Sequence, residues 1–398
     1  AAINDVMTNR SLGNSMNMNT IKGFKDFTGE EAQRRAKIKK IIVENFEQFG
    51  FEPAETPTIE NEEFVRGENS SDEAVRDIFR LKDRGKRELA LRYEFTFQLK
   101  RLAQNQKLPY KRYQIDQVFR DEPIRKGRLR QFVQCDADII GSTQNDEAEC
   151  LAMGAKIFNS LGIKTKILVN NRKLINEILE TENIKEKDRD QVIRELDKLG
   201  KLSKKEVADN LKKLGAEKLL KIFTGEESSF KKYGSYKEIE ELQKLCKQYN
   251  TKITFTPTLA RGLSYYNGSI FEIWAEELDV SLCGGGSYLV DQTQSTGISF
   301  GLEPIFLIAK AEPDYTKYLL ISLYQNKKTI QLANALRDKG SSVQVLLDKS
   351  LKKAMEYANA KKIEKVIVIG ENEAKSEKYK VKDMESGEEK EMSEKRLL

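Results

Sequence analysis

The sequence predicts an α+β fold: an antiparallel-sheet core flanked by helices, carrying a helical insertion and followed by a C-terminal α/β domain. Three observations predict it. Segments between residues 88 and 141 alternate apolar and polar side chains with the two-residue period of strands. Residues 171–250 turn Lys/Glu-rich with a helical period, and from about Tyr315 strands and helices alternate. A length of 398 residues suits two or three domains. The expected division is a flexible Asn- and Met-rich extension at 1–20, a core in two parts at 21–170 and 251–312, the insertion at 171–250 and the terminal domain at 313–398.

Thr28 and Glu31 have the spacing of a capping box, and Ile38, Ile41, Ile42, Phe46 and Phe49 recur at helical spacing, so a helix is expected from about 30 to 49. The extended stretch 51–59 contains Pro53 and Pro57, which places it at a sheet edge or an interface. Strands are expected at 88–96, 111–120 and 130–141. In the last of these, Val133, Cys135, Ala137 and Ile139 face one way and Phe132, Gln134, Asp136 and Asp138 the other. The polar face suits either a cavity or solvent. After the insertion, with loops near Gly200 and Gly234, β- and Gly-rich sequence returns from 252 to about 307. The terminal segment reads as strands at 318–323, 343–347 and 366–369 with helices at 329–339 and 351–361, a small parallel or mixed sheet.

Composition narrows the chemistry. Hydrophobic residues make up 39% and charged residues 33%; the net charge of +6 permits a nucleic-acid partner without requiring one. The four cysteines (Cys135, Cys150, Cys246, Cys283) are widely spaced and the chain contains no His, which argues against a zinc site and for reduced thiols in a cytoplasmic protein. No apolar run approaches a membrane span and no signal-peptide core is visible. Without His, catalysis must use carboxylates, arginines, lysines, backbone or the substrate itself.

Four motifs stand in order: ETPTIE at 55–60, LALRYEFT at 89–96, FRDEPIRKGRLRQFVQCDADIIG at 119–141 and LARGLSYYNGSIFEIW at 259–274. Together they resemble a histidyl-tRNA synthetase, a class II aminoacyl-tRNA synthetase, of the archaeal and eukaryotic type. Residues 350–373 in turn resemble that family's anticodon-binding domain. The resemblance implies ATP-dependent activation of L-histidine and its transfer to tRNA(His) by a homodimer built around Pro57, with Mg²⁺ bound through the ATP phosphates and no metal held by the protein. It places Glu94 and Thr96 on the substrate's α-ammonium, and Gln134, Asp138, Tyr265 and Tyr266 around its imidazole, with Gly285 permitting close backbone approach. It gives Arg120 and Arg261 the α-phosphate, where charge builds during attack, and makes Glu122, Arg128, Arg130, Phe132 and Gly301 further ATP contacts.

The sequence departs from the family pattern in three places. Pro304 stands where motif 3 ends in an arginine, Ser287-Tyr288-Leu289 where the family has Arg-Tyr-Asp, and Ser264 where it has Asp. Each change removes charge from the expected ATP or histidine site. They leave open an alternative: a non-catalytic paralogue that binds histidine or tRNA in a regulatory role.

Overall fold

The computed structural model describes residues 17–67, 76–124, 129–199, 202–261, 265–277 and 280–398. It divides into two compact units, one of Ala1–Phe27 with Ile38–Ala311, the other of Thr28–Lys37 with Glu312–Leu398.

In the first unit, α1 (Gly29–Gln48, whose opening turns belong to the second unit) is followed by β1 (Glu52–Pro53), β2 (Ile59–Asn61), α2 (Glu62–Arg66), β3 (Arg80–Lys82), β4 (Glu88–Leu91) and α3 (Leu99–Ala103). The long hairpin β5 (Tyr110–Phe119) and β6 (Gln131–Ile140) comes next, then α4 (Gln144–Ser160) and β7 (Thr165–Asn171). Helices α5 (Arg172–Thr181), α6 (Glu186–Leu196), α7 (Lys204–Lys213), α8 (Lys218–Phe223) and α9 (Tyr236–Gln248) form the inserted stretch. Strands β8 (Thr254–Phe255), β9 (Ser269–Ala275), β10 (Val280–Val290) and β11 (Thr293–Gly301) complete the sheet before α10 (Leu302–Ile308).

The main sheet runs β1-β5-β6-β11-β10-β9-β7-β8, antiparallel except for its two outermost pairs. Its inner face is covered by Ile38, Ile42 and Phe46 of α1 and by Leu151, Met153 and Phe158 of α4. Val133, Cys135, Ala137 and Ile139 of β6 enter this core, as alternation requires. The inserted helices form a second core with Leu174, Ile178, Val192, Leu211 and Phe230, which reaches Phe255 and Ile270 of the sheet.

One local expectation needs correction, and the edge position expected for 51–59 is met at β1. The strand expected at 88–96 stops at Leu91. Arg92 turns inward and is 1% exposed; its guanidinium donates to the carbonyls of Thr56 and Gln117 and pairs with Asp116. These bonds anchor the chain as it leaves the three-stranded sheet β2-β4-β3, so Glu94 and Thr96 sit on the following loop. The stretch 51–59 pairs only at its two ends, because proline cannot donate to a ladder; β1 is an edge strand. Pro304, by contrast, is accommodated at the third position of α10, where an N–H has no intrahelical partner.

The second unit contains β12 (Lys317–Ser322), α11 (Asn326–Asp338), β13 (Ser342–Leu347), α12 (Leu351–Ala360), β14 (Lys365–Ile369), α13 (Glu371–Ser376), β15 (Lys378–Asp383), β16 (Glu389–Ser393) and α14 (Glu394–Leu397). Its order is β13-β12-β14-β15-β16: the first three strands are parallel and the last two form an antiparallel hairpin. Leu332 and Leu336 of α11 cover one face, while Ala354 and Ala358 of α12 cover the other. The four cysteines are free and buried. Burial pushes the thiol pKa of Cys150 and Cys283 well up and that of Cys246 to about 12. No helix among the described residues is long and apolar enough to cross a membrane.

Candidate active site

The polar face of β6 forms the floor of a cavity of about 810 Å³, so its alternation marks a cavity and not a solvated sheet face. Gln134, Asp136 and Asp138 line it in pleat order, and Ser299 and Gly297 of the neighbouring β11 continue the floor. Glu94 and Thr96 enter from the loop after β4, while Arg261, Tyr265 and Tyr266 enter before β9.

Arg120 is held by aromatic and polar neighbours. Its guanidinium lies over the rings of Tyr93 (4.3 Å) and Phe132 (5.1 Å), and donates to Gln134 Oε1 at 3.1 Å. Glu122 stands 4.0 Å from the same guanidinium. Arg261 pairs with Glu272 at 3.2 Å, and Glu272 accepts from the Trp274 indole. The guanidinium of Arg261 lies over Gly284, where a Cβ would come within 1.5 Å of it. Tyr266 covers Gly286 in the same way. The middle glycine, Gly285, faces the other side, toward Phe271 and the Gly297 carbonyl. Alternation along β10 explains this, and it transfers the close approach expected at Gly285 to its two neighbours.

Tyr265 stacks on Tyr288 with ring centroids 4.7 Å apart, meets Tyr266 edge-on and hydrogen-bonds Thr96. Tyr288 donates its hydroxyl to Asp138 Oδ1, and Asp138 Oδ2 pairs with fully buried Arg112 at 2.9 Å. Burial nevertheless raises the Asp138 pKa against these two partners. Asp136 accepts from Ser299 and, more weakly, from the Gln134 amide; burial and then repulsion from Asp138 push it up to about 7. A further raised carboxylate, Glu147, lies buried against Ser269 and Ser287, and burial takes it to about 7.

The cavity thus gathers Arg120, Arg261, Glu94, Thr96, Gln134, Asp138, Tyr265 and Tyr266 of the expected site. It does not gather all the expected ATP contacts. Arg130 is held by Asp121 and the Glu122 carbonyl and packs against Gly23 instead of lining the cavity. Phe132 lies beneath Arg120, Gly301 caps α10, and Arg128 falls outside the described residues, as does Ser264. Sequence reasoning missed Asp136, although its place in the alternation pointed at the cavity. It also missed Arg66, Lys100 and Arg194, which line the cavity from α2, α3 and α6 and carry no local signal.

The family model for histidyl-tRNA synthetase matches residues 23–305, and that for an anticodon-binding domain matches 319–398. Histidine–tRNA ligase 1 of Bacillus cereus is 34% identical over 94% of this chain and 97% of that relative. Histidine–tRNA ligase of Nanoarchaeum equitans is 32% identical over 88% and 91%. The crystal structure of histidyl-tRNA synthetase from Nostoc sp. PCC 7120 superposes with a TM-score of 0.85 at 25% identity, covering 96% of this chain and all of the other. An ATP phosphoribosyltransferase regulatory subunit/histidyl-tRNA synthetase from Bacillus halodurans shares the fold, with a TM-score of 0.76 at 20% identity over 89% of this chain and 98% of that one. The paired aromatic and arginine contacts of the cavity therefore stand in a chain that belongs to the histidyl-tRNA synthetase family.

Proposed function

We propose that this chain activates L-histidine with ATP and transfers it to tRNA(His), using the cavity above β6. The observation that carries this reading is the convergence of Arg120 and Arg261 on a cavity whose floor is polar and whose wall is tyrosine-lined. The histidine carboxylate, ionised near neutral pH, attacks the α-phosphorus of ATP; the bond to the β-phosphate bridging oxygen breaks and pyrophosphate leaves. No enzymic base is needed, so the absence of His is no obstacle. Arg120 and Arg261 stabilise the charge that builds on the α-phosphate oxygens. The rigid cradle of Tyr93, Phe132 and Gln134 holds Arg120 ready for this before substrate arrives. Glu94 and Thr96 receive the α-ammonium, and Tyr265 and Tyr266 enclose the imidazole. The terminal tRNA hydroxyl then attacks the adenylate carbonyl and releases AMP, and residues 319–398 bind the anticodon.

Pro304 removes a motif 3 charge, and Arg66, Lys100 and Arg194 supply cations around the same cavity. A Mg²⁺ ion carried by the ATP phosphates would neutralise charge on the departing pyrophosphate. The exposed segment of Pro53, Pro57 and Ile59 is the proposed dimer contact, and a cytoplasmic location belongs to the same reading. Histidine-dependent ATP–pyrophosphate exchange, with other amino acids as controls, tests the reading. Exchange with histidine alone supports it; its absence from a folded protein that still binds histidine or tRNA would replace it with the regulatory alternative.

A further inference from the structure

Behind the main sheet, on the side away from the cavity, one carboxylate ties two strands together. Glu147 of α4 is 8% exposed. It accepts from the Ser269 hydroxyl of β9 and from the Ser287 hydroxyl of β10. Gly286 is in register with Ile270, so the two serines stand opposite one another across the β9–β10 pair. Gly268 leaves room for this arrangement: a Cβ there would come within 2.5 Å of Ser287 Oγ. The other face of the same strands carries the tyrosine wall. Tyr266 packs on Gly286, and Tyr288, on which Tyr265 stacks, directly follows Ser287. Ser287 itself does not line the cavity. An arginine at position 287, as in the family pattern, would therefore extend toward Glu147 and not toward the phosphates.

The charged groups around Glu147 do not replace such a cation. Lys173 of α5 acts on it, but the Lys173 ammonium is bound to Glu238 of α9 at 2.7 Å, and the Glu238 charge opposes that of Glu147. Glu238 also accepts from Asn171. Cys246 of α9 is a buried thiol on which the Glu147 charge acts in turn. A buried carboxyl met by hydroxyls is stable as the neutral acid and costly as the anion. Building on the proposed histidine-activating function, we infer that Glu147 is a positioning residue: through Ser269 and Ser287 it fixes β9 against β10 and thereby sets the tyrosine wall that encloses the substrate. Hydroxyls stand where an arginine would give an ion pair, so this tie depends on the proton of Glu147. Burial holds that proton up to about pH 7. Above it the anion has no cation of its own and the cost falls on the two strands that hold it, so histidine binding weakens as pH rises.

Wild-type histidine-dependent exchange is measured first, and its absence would defeat the functional reading itself. With exchange present, KM for histidine is followed with pH in the wild type and in Glu147→Gln, which keeps a hydrogen-bonding group without the charge. The substrate's own titration is common to both proteins and cancels in their ratio. The wild-type KM relative to that of the Gln variant should rise about tenfold between about pH 7 and 8.5, the size that one ionisation allows. Ser287→Arg supplies the missing cation and should remove that rise. Glu147→Ala, which breaks the tie at every pH, should raise KM for histidine about tenfold, the range for one buried hydrogen-bonded group, with KM for ATP and kcat much less affected. A wild-type-to-Gln ratio that stays flat with pH would overturn the inference. So would a Ser287→Arg protein that keeps the wild-type slope, or an Ala variant whose KM for histidine is unchanged or rises no more than its KM for ATP. Should Ser287→Arg fail to fold, Ser287→Ala, which removes one of the two hydroxyls, replaces it and should raise KM for histidine about threefold; no rise would count against the tie.

Discussion

Strands β6 and β12 both lie inside a sheet with cover on both sides, yet they use that position differently. On β12, Tyr318 and Leu320 enter one apolar core and Leu319 and Ile321 the other. On β6, Val133, Cys135, Ala137 and Ile139 enter a core while Gln134, Asp136 and Asp138 are as deeply buried on the opposite face. Burying those polar groups requires Ser299, Tyr288 and Arg112 to meet them. A central strand that can be apolar on both faces is built for stability. One that carries polar groups at the same depth has been given a face for chemistry.

Substitutions can break this contrast. The largest effect is expected at the cavity: Arg261→Ala should lower adenylate formation by about 10³-fold, the range for removing one preorganised charge stabiliser, with much less effect on histidine binding. Rapid-quench measurement of adenylate beside equilibrium binding of histidine checks both halves. On β12, Leu320→Ala should cost about 2–5 kcal/mol of stability, the ordinary range for a fully buried leucine. It should depress aminoacylation while pyrophosphate exchange persists, and urea melts with both assays would show whether it does. Gly284→Ala sharpens the comparison: the new Cβ has no room beneath the Arg261 guanidinium, which must move. About 10²-fold is expected from the adenylation rate, since a shift of about 1 Å in a catalytic group is that costly. An unimpaired Gly284→Ala enzyme would dissociate Arg261 from the reaction.

The smallest effect is on pH dependence. Asp136 and Glu147 titrate near 7 in the fold, above the ordinary carboxylate range. Between about pH 4 and 7 the folded state therefore binds more protons than the unfolded one, and stability falls as pH rises through this window. Asp136→Asn and Glu147→Gln should each flatten that fall, so that each variant gains on the wild type between pH 5 and 8. Urea midpoints at the two pH values decide this; parallel curves would mean that these carboxylates are not raised.

The parts of this contrast legible in sequence are those written in periodicity. The two faces of β6 and the strand–helix alternation from β12 to β14 are local patterns, and each leads directly to a core or a cavity. The hairpin β15–β16 is hard to read because its strands are short and Lys- and Glu-rich: Tyr379 and Val381 alternate in Lys378–Asp383, but Glu389–Ser393 offers Met392 alone. The end of β4 depends on where Arg92 finds carbonyls, 36 residues back at Thr56 and 25 ahead at Gln117, which no window around Arg92 contains. Arg194 is similar: in sequence it is one charge on an amphipathic helix, and only the packing of α6 brings it to the cavity. Among the glycines, spacing identified a triplet, but the strand's direction determined which two of the three admit Arg261 and Tyr266.

The four buried thiols have a practical consequence. All four are buried, and the pKa values of Cys150, Cys246 and Cys283 are raised as well, so the native chain is close to a blank surface for cysteine chemistry. A single replacement at an exposed position, such as Tyr324→Cys where the side chain is 85% exposed, would then carry a dye or spin label at one defined place. Pairing it with a second such site in the other unit would turn the protein into its own ruler for movement during tRNA charging.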